Sequence, residues 1–162
     1  MPDLLVNLLK LPALTAATAT EIEALGVKLR RAEPWELSRV REFVTANFST
    51  SWADEVSVGF AVKPITVYLA TQNAAIVGFA AYECTRRAFF GPTGVADELR
   101  GHGIGTALLL HSLQALRDLG YVYGIIGGAG PIAYYQKTVG AIVIPDTDPG
   151  IYVDLLSRRD RT

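Results

Sequence analysis

The densest chemical signal in the chain is Arg100-Gly101-His102-Gly103-Ile104-Gly105. Closely spaced glycines let a backbone turn tightly and approach a ligand. Ile104, Leu108, Leu109, Leu113, Leu116 and Leu119 then repeat at helical spacing, so the glycine turn opens a long helix that Gly120 ends. The first turn of a helix leaves four N–H groups without partners, and these suit a pyrophosphate. Arg100 adds a charge-assisted donor. A nucleotide-hydrolysing loop needs Gly-Lys-Ser/Thr at its end, where this chain has Gly105-Thr106-Ala107. Glycines at 101, 103 and 105 also miss the Gly-x-Gly-x-x-Gly spacing of a dinucleotide fold. Two local readings remain: a phosphate cradle, or a turn that packing alone demands.

The elements that must hold this turn are legible on either side. Ala88–Ala96 reads as a strand that Gly91-Pro92 breaks or bulges. YVYGIIGG after the long helix reads as a buried strand, so strand, helix and strand form a parallel crossover. Ile65–Ala70 and Ala75–Cys84 form an antiparallel hairpin turning at Gln72-Asn73. Val27 and Leu29 alternate with Lys28 and Arg30 as a short strand. Pro34 opens a helix carrying Leu37, Val40, Val44 and Phe48, and a second helical piece follows the capping residues Ser49-Thr50-Ser51. Pro131 opens a short helix, Ala141–Ile144 is a strand, and Ile151–Leu156 is expected as the last strand. The first 26 residues are expected to be an extension packed on a core domain of residues 27–162, with one helical turn near Glu21–Leu25.

Bulk composition narrows the function classes. The chain has 162 residues, half of them hydrophobic, which suits one domain with a real core. A formal net charge of -1 gives no basic footprint for nucleic acid. With one cysteine, Cys84, an internal disulfide is impossible and no thiolate cluster can hold zinc. His102 and His111 are spaced unlike a helical metal pair. The opening MPDLLVNLLKLPAL lacks a basic region, and no apolar run is long enough to cross a membrane, so a reducing, cytoplasmic setting is expected.

Arg100, Gly103 and Gly105 fill, in order, the Arg/Gln-x-x-Gly-x-Gly/Ala signature of the GNAT superfamily of N-acetyltransferases, which the chain resembles over about residues 27–156. Tyr134-Tyr135-Gln136-Lys137-Thr138-Val139-Gly140-Ala141 resembles that family's second element. The resemblance implies an α/β (α+β) fold with a mixed, strongly bent sheet of about six or seven strands and about four helices. It implies acetyl-CoA as cofactor and no metal. Val95, Ala96, Arg100, Gly101, His102, Gly103, Ile104, Gly105 and Thr106 would contact it, and Tyr135 would protonate the leaving thiolate. The amine would attack the thioester directly, with no covalent enzyme intermediate. Gly127-Gly128-Ala129-Gly130-Pro131 stands where the family often has an asparagine.

The incoming amine must lose a proton, and a carboxylate can take it. Glu83, late in a strand, is the first candidate base, against a solvated strand end. Trp52, Glu55 and Phe90 are candidate acceptor contacts, against ordinary packing for the aromatics and a solvated face for Glu55. Asp97, Glu98 and His111 read as solvated, and Cys84 as a buried filler. The expected activity is acetyl transfer to a primary amine of a small molecule, an amino sugar among the candidates. The alternatives are a protein N-terminal or lysine acetyltransferase and a non-catalytic acyl-CoA binding module. A homodimer is possible.

Overall fold

A computed structural model describes residues 1–156. Its strands are β1 (Leu4–Asn7), β2 (Lys28–Arg31), β3 (Val67–Gln72), β4 (Ala75–Tyr82), β5 (Phe89–Val95), β6 (Tyr123–Ile126) and β7 (Ile142–Val143). Its helices are α1 (Ala16–Ala24), α2 (Leu37–Asn47), α3 (Thr50–Val58), α4 (Ile104–Asp118) and α5 (Ile132–Val139). The strands form one mixed seven-stranded sheet in the order β2-β3-β4-β5-β6-β1-β7.

Strand alternation divides the core into two layers. Along β4, Phe79 and Ala81 face one side and pack with Val40, Val44, Ala53 and Val56 of α2 and α3. Ala80 and Tyr82 face the other side, where Leu108, Leu113 and Leu116 of α4 are fully buried. Each such leucine is worth about 1.5–3 kcal/mol of transfer free energy. The β3–β4 hairpin turns through Asn73 and Ala74, both at positive φ (50° and 61°), as a tight two-residue connection requires. Ser49 caps α3, its Oγ accepting from the Trp52 N–H at 3.1 Å, and this cap fixes the rotation that aims Trp52 and Glu55.

Three expectations need correction. The N-terminal helix is longer than expected: Thr15 caps a nine-residue α1, the Thr18 N–H donating to its Oγ1 at 3.2 Å, where one turn was expected, and five α-helices in all flank the sheet among the described residues. The first 26 residues do more than pack on the core, because β1 is hydrogen-bonded between β6 and β7 with Leu4 and Val6 fully buried. Ile151–Leu156 forms no strand. β1 already fills the slot beside β6, and Asp154 at φ 52° breaks the extended run.

Candidate active site

The sheet opens where β5 and β6 part. Their parallel pairing spans only Phe89↔Ile125 and Phe90↔Ile126, while β5 runs on to Val95. The Ala96 N–H donates to Val77 O at 2.8 Å, so by strand alternation the Val95 amide points the other way, into the gap. Arg100 Nε donates to Val95 O at 3.1 Å, which ties the loop to this edge. A cleft of about 620 Å³ fills the gap, lined by β5, the glycine loop, the start of α4, and Tyr134 and Tyr135 of α5.

The loop's shape depends on its glycines. Gly101 and Gly103 are left-handed, at φ 83° and 81°. The first bond of α4 runs from the Ala107 N–H to Gly103 O at 3.0 Å. The amides of Ile104, Gly105 and Thr106 are therefore left without partners among the described residues, and no side chain caps them. They form a positive end suited to a phosphate group. On the loop's outer side lies α1. A Cβ on Gly103 would stand 2.2 Å from Thr18 Cγ2, and His102 Nδ1 lies 2.7 Å from Glu21 Oε1.

Tyr135 is 7% exposed, and burial, with Tyr134 beside it, pushes its phenol up to about 12. Its hydroxyl has no hydrogen-bond partner among the described residues, yet no side-chain polar atom is sealed away unpaired, so it reaches the open cleft. Tyr134 instead pairs its hydroxyl with Thr106 Oγ1 at 2.8 Å, linking α5 to α4.

A second cavity of about 340 Å³ adjoins the cleft, sharing Trp52 and Phe90 as walls. Phe89, Pro92, Gly127-Gly128, Pro149 and Tyr152 also line it, with Glu55, Thr85 and Asp148 as its polar side chains. Thr85 Oγ1 donates to Glu55 Oε1. Phe48 stacks on Trp52 with ring centroids 5.5 Å apart, and Gly94 makes room for it, since a Cβ there would lie 2.2 Å from Phe48 Cζ.

Comparison with known families shows which family the chain falls in. The model of the acetyltransferase (GNAT) family matches residues 29–141, well over half of the chain. The chain belongs to the GNAT acetyltransferase family. No curated protein matches it by sequence. Among solved structures, it is similar to a GCN5-related glucosamine N-acetyltransferase region of a fungal multi-domain GH3 β-N-acetylglucosaminidase: TM-score 0.72, 17% identity, covering 88% of this chain and 19% of that one. A GCN5-related N-acetyltransferase from Sphaerobacter thermophilus gives 0.67 and 19% identity, covering 88% and 48%. A GNAT family acetyltransferase from Brucella melitensis in complex with acetyl-CoA gives 0.56 and 21% identity, covering 70% and 81%. The chain thus spans about a fifth and about half of the first two. These are likenesses of fold, and the mixed sheet with its flanking helices is the GNAT architecture.

Within the GNAT fold the residues singled out by sequence fall into three groups. Val95, Arg100, Gly101, Gly103, Ile104, Gly105, Thr106 and Tyr135 line the cleft. Trp52 and Phe90 stand at the junction, and Glu55 faces the second cavity. Ala96, His102 and Glu83 leave the site. Ala96 spends its N–H on Val77 and its carbonyl on Leu99, and His102 is turned to Glu21. Glu83 locks the strand-end turn, its carboxylate accepting from the Ala88 N–H and from Tyr121 Oη at 3.2 Å, so Glu55 replaces it as the carboxylate near the junction. Asp54 faces away, paired with Arg41 at 2.9 Å. Burial pushes the Cys84 thiol up to about 11, and it lines neither cavity, so it is no nucleophile.

Asp148 and Tyr152 escaped sequence reasoning because the segment carrying them reads as a turn and a strand remote from the glycine motif. The one local signal is Asp148-Pro149-Gly150, a turn with a carboxylate at its start. Among the described residues no group of three His, Cys, Asp or Glu comes together as metal ligands, and no helix is long and apolar enough to cross a membrane.

Proposed function

We propose that this GNAT protein transfers the acetyl group of acetyl-CoA to a primary amine of a small molecule, an amino sugar being the leading candidate. The observation that carries the reading is the junction at Trp52 and Phe90, where a phosphate-suited cleft meets a separate cavity bearing a carboxylate. The free amides of Ile104, Gly105 and Thr106 fit the coenzyme's pyrophosphate, and the Val95 amide fits an extended arm lying in the sheet gap. Bound there, acetyl-CoA would supply the acetyl thioester that the amine attacks.

The chain's own residues then have distinct tasks. Glu55 would hold the acceptor amine and take the proton whose loss frees the nitrogen lone pair for attack, and the second proton, released as the C–N bond forms, would pass to solvent. Tyr135 would give its phenolic proton to the departing sulfur as the C–S bond breaks, and regain one from solvent. A phenol held up near 12 stays protonated at neutral pH, which keeps it an acid rather than a base. Trp52 and Phe90 exclude water and hold an apolar or sugar face against their rings. The amino-sugar reading draws on these aromatic walls beside carboxylates, and on the similar fungal glucosamine N-acetyltransferase region.

The test is thiol release from acetyl-CoA with glucosamine as acceptor, followed by mass analysis of the sugar. Amine-dependent release with one acetyl added to the sugar supports the reading. Release that ignores the amine, or none with any small amine, overturns it.

A further inference from the structure

The second cavity has a charge character that bears on which amine enters. Its charged lining side chains are the carboxylates of Glu55 and Asp148, no lysine or arginine side chain lines it, and Met1 on its lining carries an ammonium that Asp148 engages. Asp148 sits at the rim, where the Met1 ammonium meets its Oδ2 at 2.7 Å. Glu55 is half-buried, accepts a hydrogen bond from Thr85, and has no cationic partner among the described residues. Behind the wall, Asp3 is 8% exposed and accepts from the Gly128 N–H at 2.8 Å, adding another carboxylate under the glycine floor. Arg86 is exposed and donates to Thr85 O at 2.8 Å.

The negative field reaches across the cavity. Burial raises the Tyr152 hydroxyl above its ordinary value, the charges of Glu55 and Asp3 raise it further, and Arg86 opposes them. A half-buried carboxylate beside Trp52 and Phe89, without a counter-ion, is stabilised most by an entering cation, and the ring faces add their own attraction for positive charge. A phosphate in the same space meets the Glu55 carboxylate and finds the Met1 ammonium already held by Asp148, which is a basis for exclusion.

We infer that the acceptor cavity selects a compact, cationic amine free of phosphate, with Glu55 as the residue that sets this charge preference. The inference rests on the acetyltransferase reading above and deepens it: the acceptor is an unphosphorylated amino sugar or comparable cationic amine, not its phosphate ester.

The test compares kcat/KM at saturating acetyl-CoA for glucosamine and for glucosamine phosphorylated on its primary hydroxyl. The free sugar is expected to be preferred by about a hundredfold or more. Glu55→Gln keeps the side-chain volume and an acceptor for Thr85 while removing the charge. It should shrink the preference by about tenfold through a rise in KM for the free sugar, while loss of the base lowers kcat for both sugars and KM for acetyl-CoA stays unchanged. Asp148→Arg, at an exposed rim position, should raise activity toward the phosphate ester. Equal or better use of the ester by the parent protein, or a preference unmoved by both variants, overturns the inference and leaves acetyl transfer standing. Failure to acetylate any amine overturns the acetyltransferase reading and the inference with it.

Discussion

The cofactor cleft and the acceptor cavity meet at Trp52 and Phe90 but are built from different material. The cleft is a backbone structure. Its shape comes from two left-handed glycines, three unpaired amides and a strand edge that β6 abandons. The acceptor cavity is a side-chain structure. Its walls arrive from α3, the strand-end turn at Thr85, β5, the glycines after β6 and the turn near Asp148. Backbone groups are the same in every sequence, so a site made of them is marked by which side chains are missing. A site made of side chains is free to vary with each acceptor.

The largest expected effect follows from that contrast. Gly103→Val puts a β-branched residue at φ 81° and drives its Cβ into Thr18, so KM for acetyl-CoA should rise by about a hundredfold or more. Gly101→Ala meets nothing within 4 Å and suffers only the left-handed backbone cost of about 1–2 kcal/mol, so its effect should be markedly smaller. Equal effects would mean that α1 does not support the loop.

Tyr135→Phe comes next. It should lower kcat by about a hundredfold while leaving the melting temperature nearly unchanged, because the hydroxyl has no partner in the fold. An acid must hold its proton to act, and a raised pKa extends that range upward. With the phenol pushed up to about 12, the rate should therefore show no alkaline fall assignable to Tyr135 up to about pH 10. A fall in the parent near neutral pH that disappears in Tyr135→Phe would contradict the raised pKa, and an unchanged kcat in Tyr135→Phe would remove Tyr135 as the acid.

Gly94→Ala probes the boundary between the two regions. Its Cβ collides with the Phe48 ring, so the stack on Trp52 must shift, and the expected loss is about 1–3 kcal/mol in a urea melt. The smallest effect is expected for Glu21→Gln. The Glu21–His102 pair is solvent-exposed on both sides, and such pairs contribute about 0–1 kcal/mol, so KM for acetyl-CoA should change less than about fivefold.

The same contrast explains what the sequence revealed. The glycine motif, the long α4 and the crossover are local patterns, and a local pattern reads directly from residue spacing. Tyr135 emerged through family resemblance, although both tyrosines line the cleft and only the fold separates a Thr106-bound hydroxyl from a free one. Glu83 misled because its strand-end position is compatible with a cleft, whereas the hydrogen bonds from Ala88 and Tyr121 exist only after the chain has folded back. The place of β1 was hidden for a related reason. Leu4 and Val6 are fully buried in β1, but which strands it joins depends on partners more than a hundred residues away. Ile151–Leu156 has strand-like composition and still forms no strand, since composition cannot report that β1 has taken the slot.

The most direct test of the central claim is calorimetric titration of acetyl-CoA into the intact protein. The account predicts one-site binding with a dissociation constant in the micromolar range, lost in Gly103→Val protein that keeps its circular dichroism. No binding heat across several temperatures, from a folded sample, would contradict it, and the glycine turn would then stand as a packing feature alone.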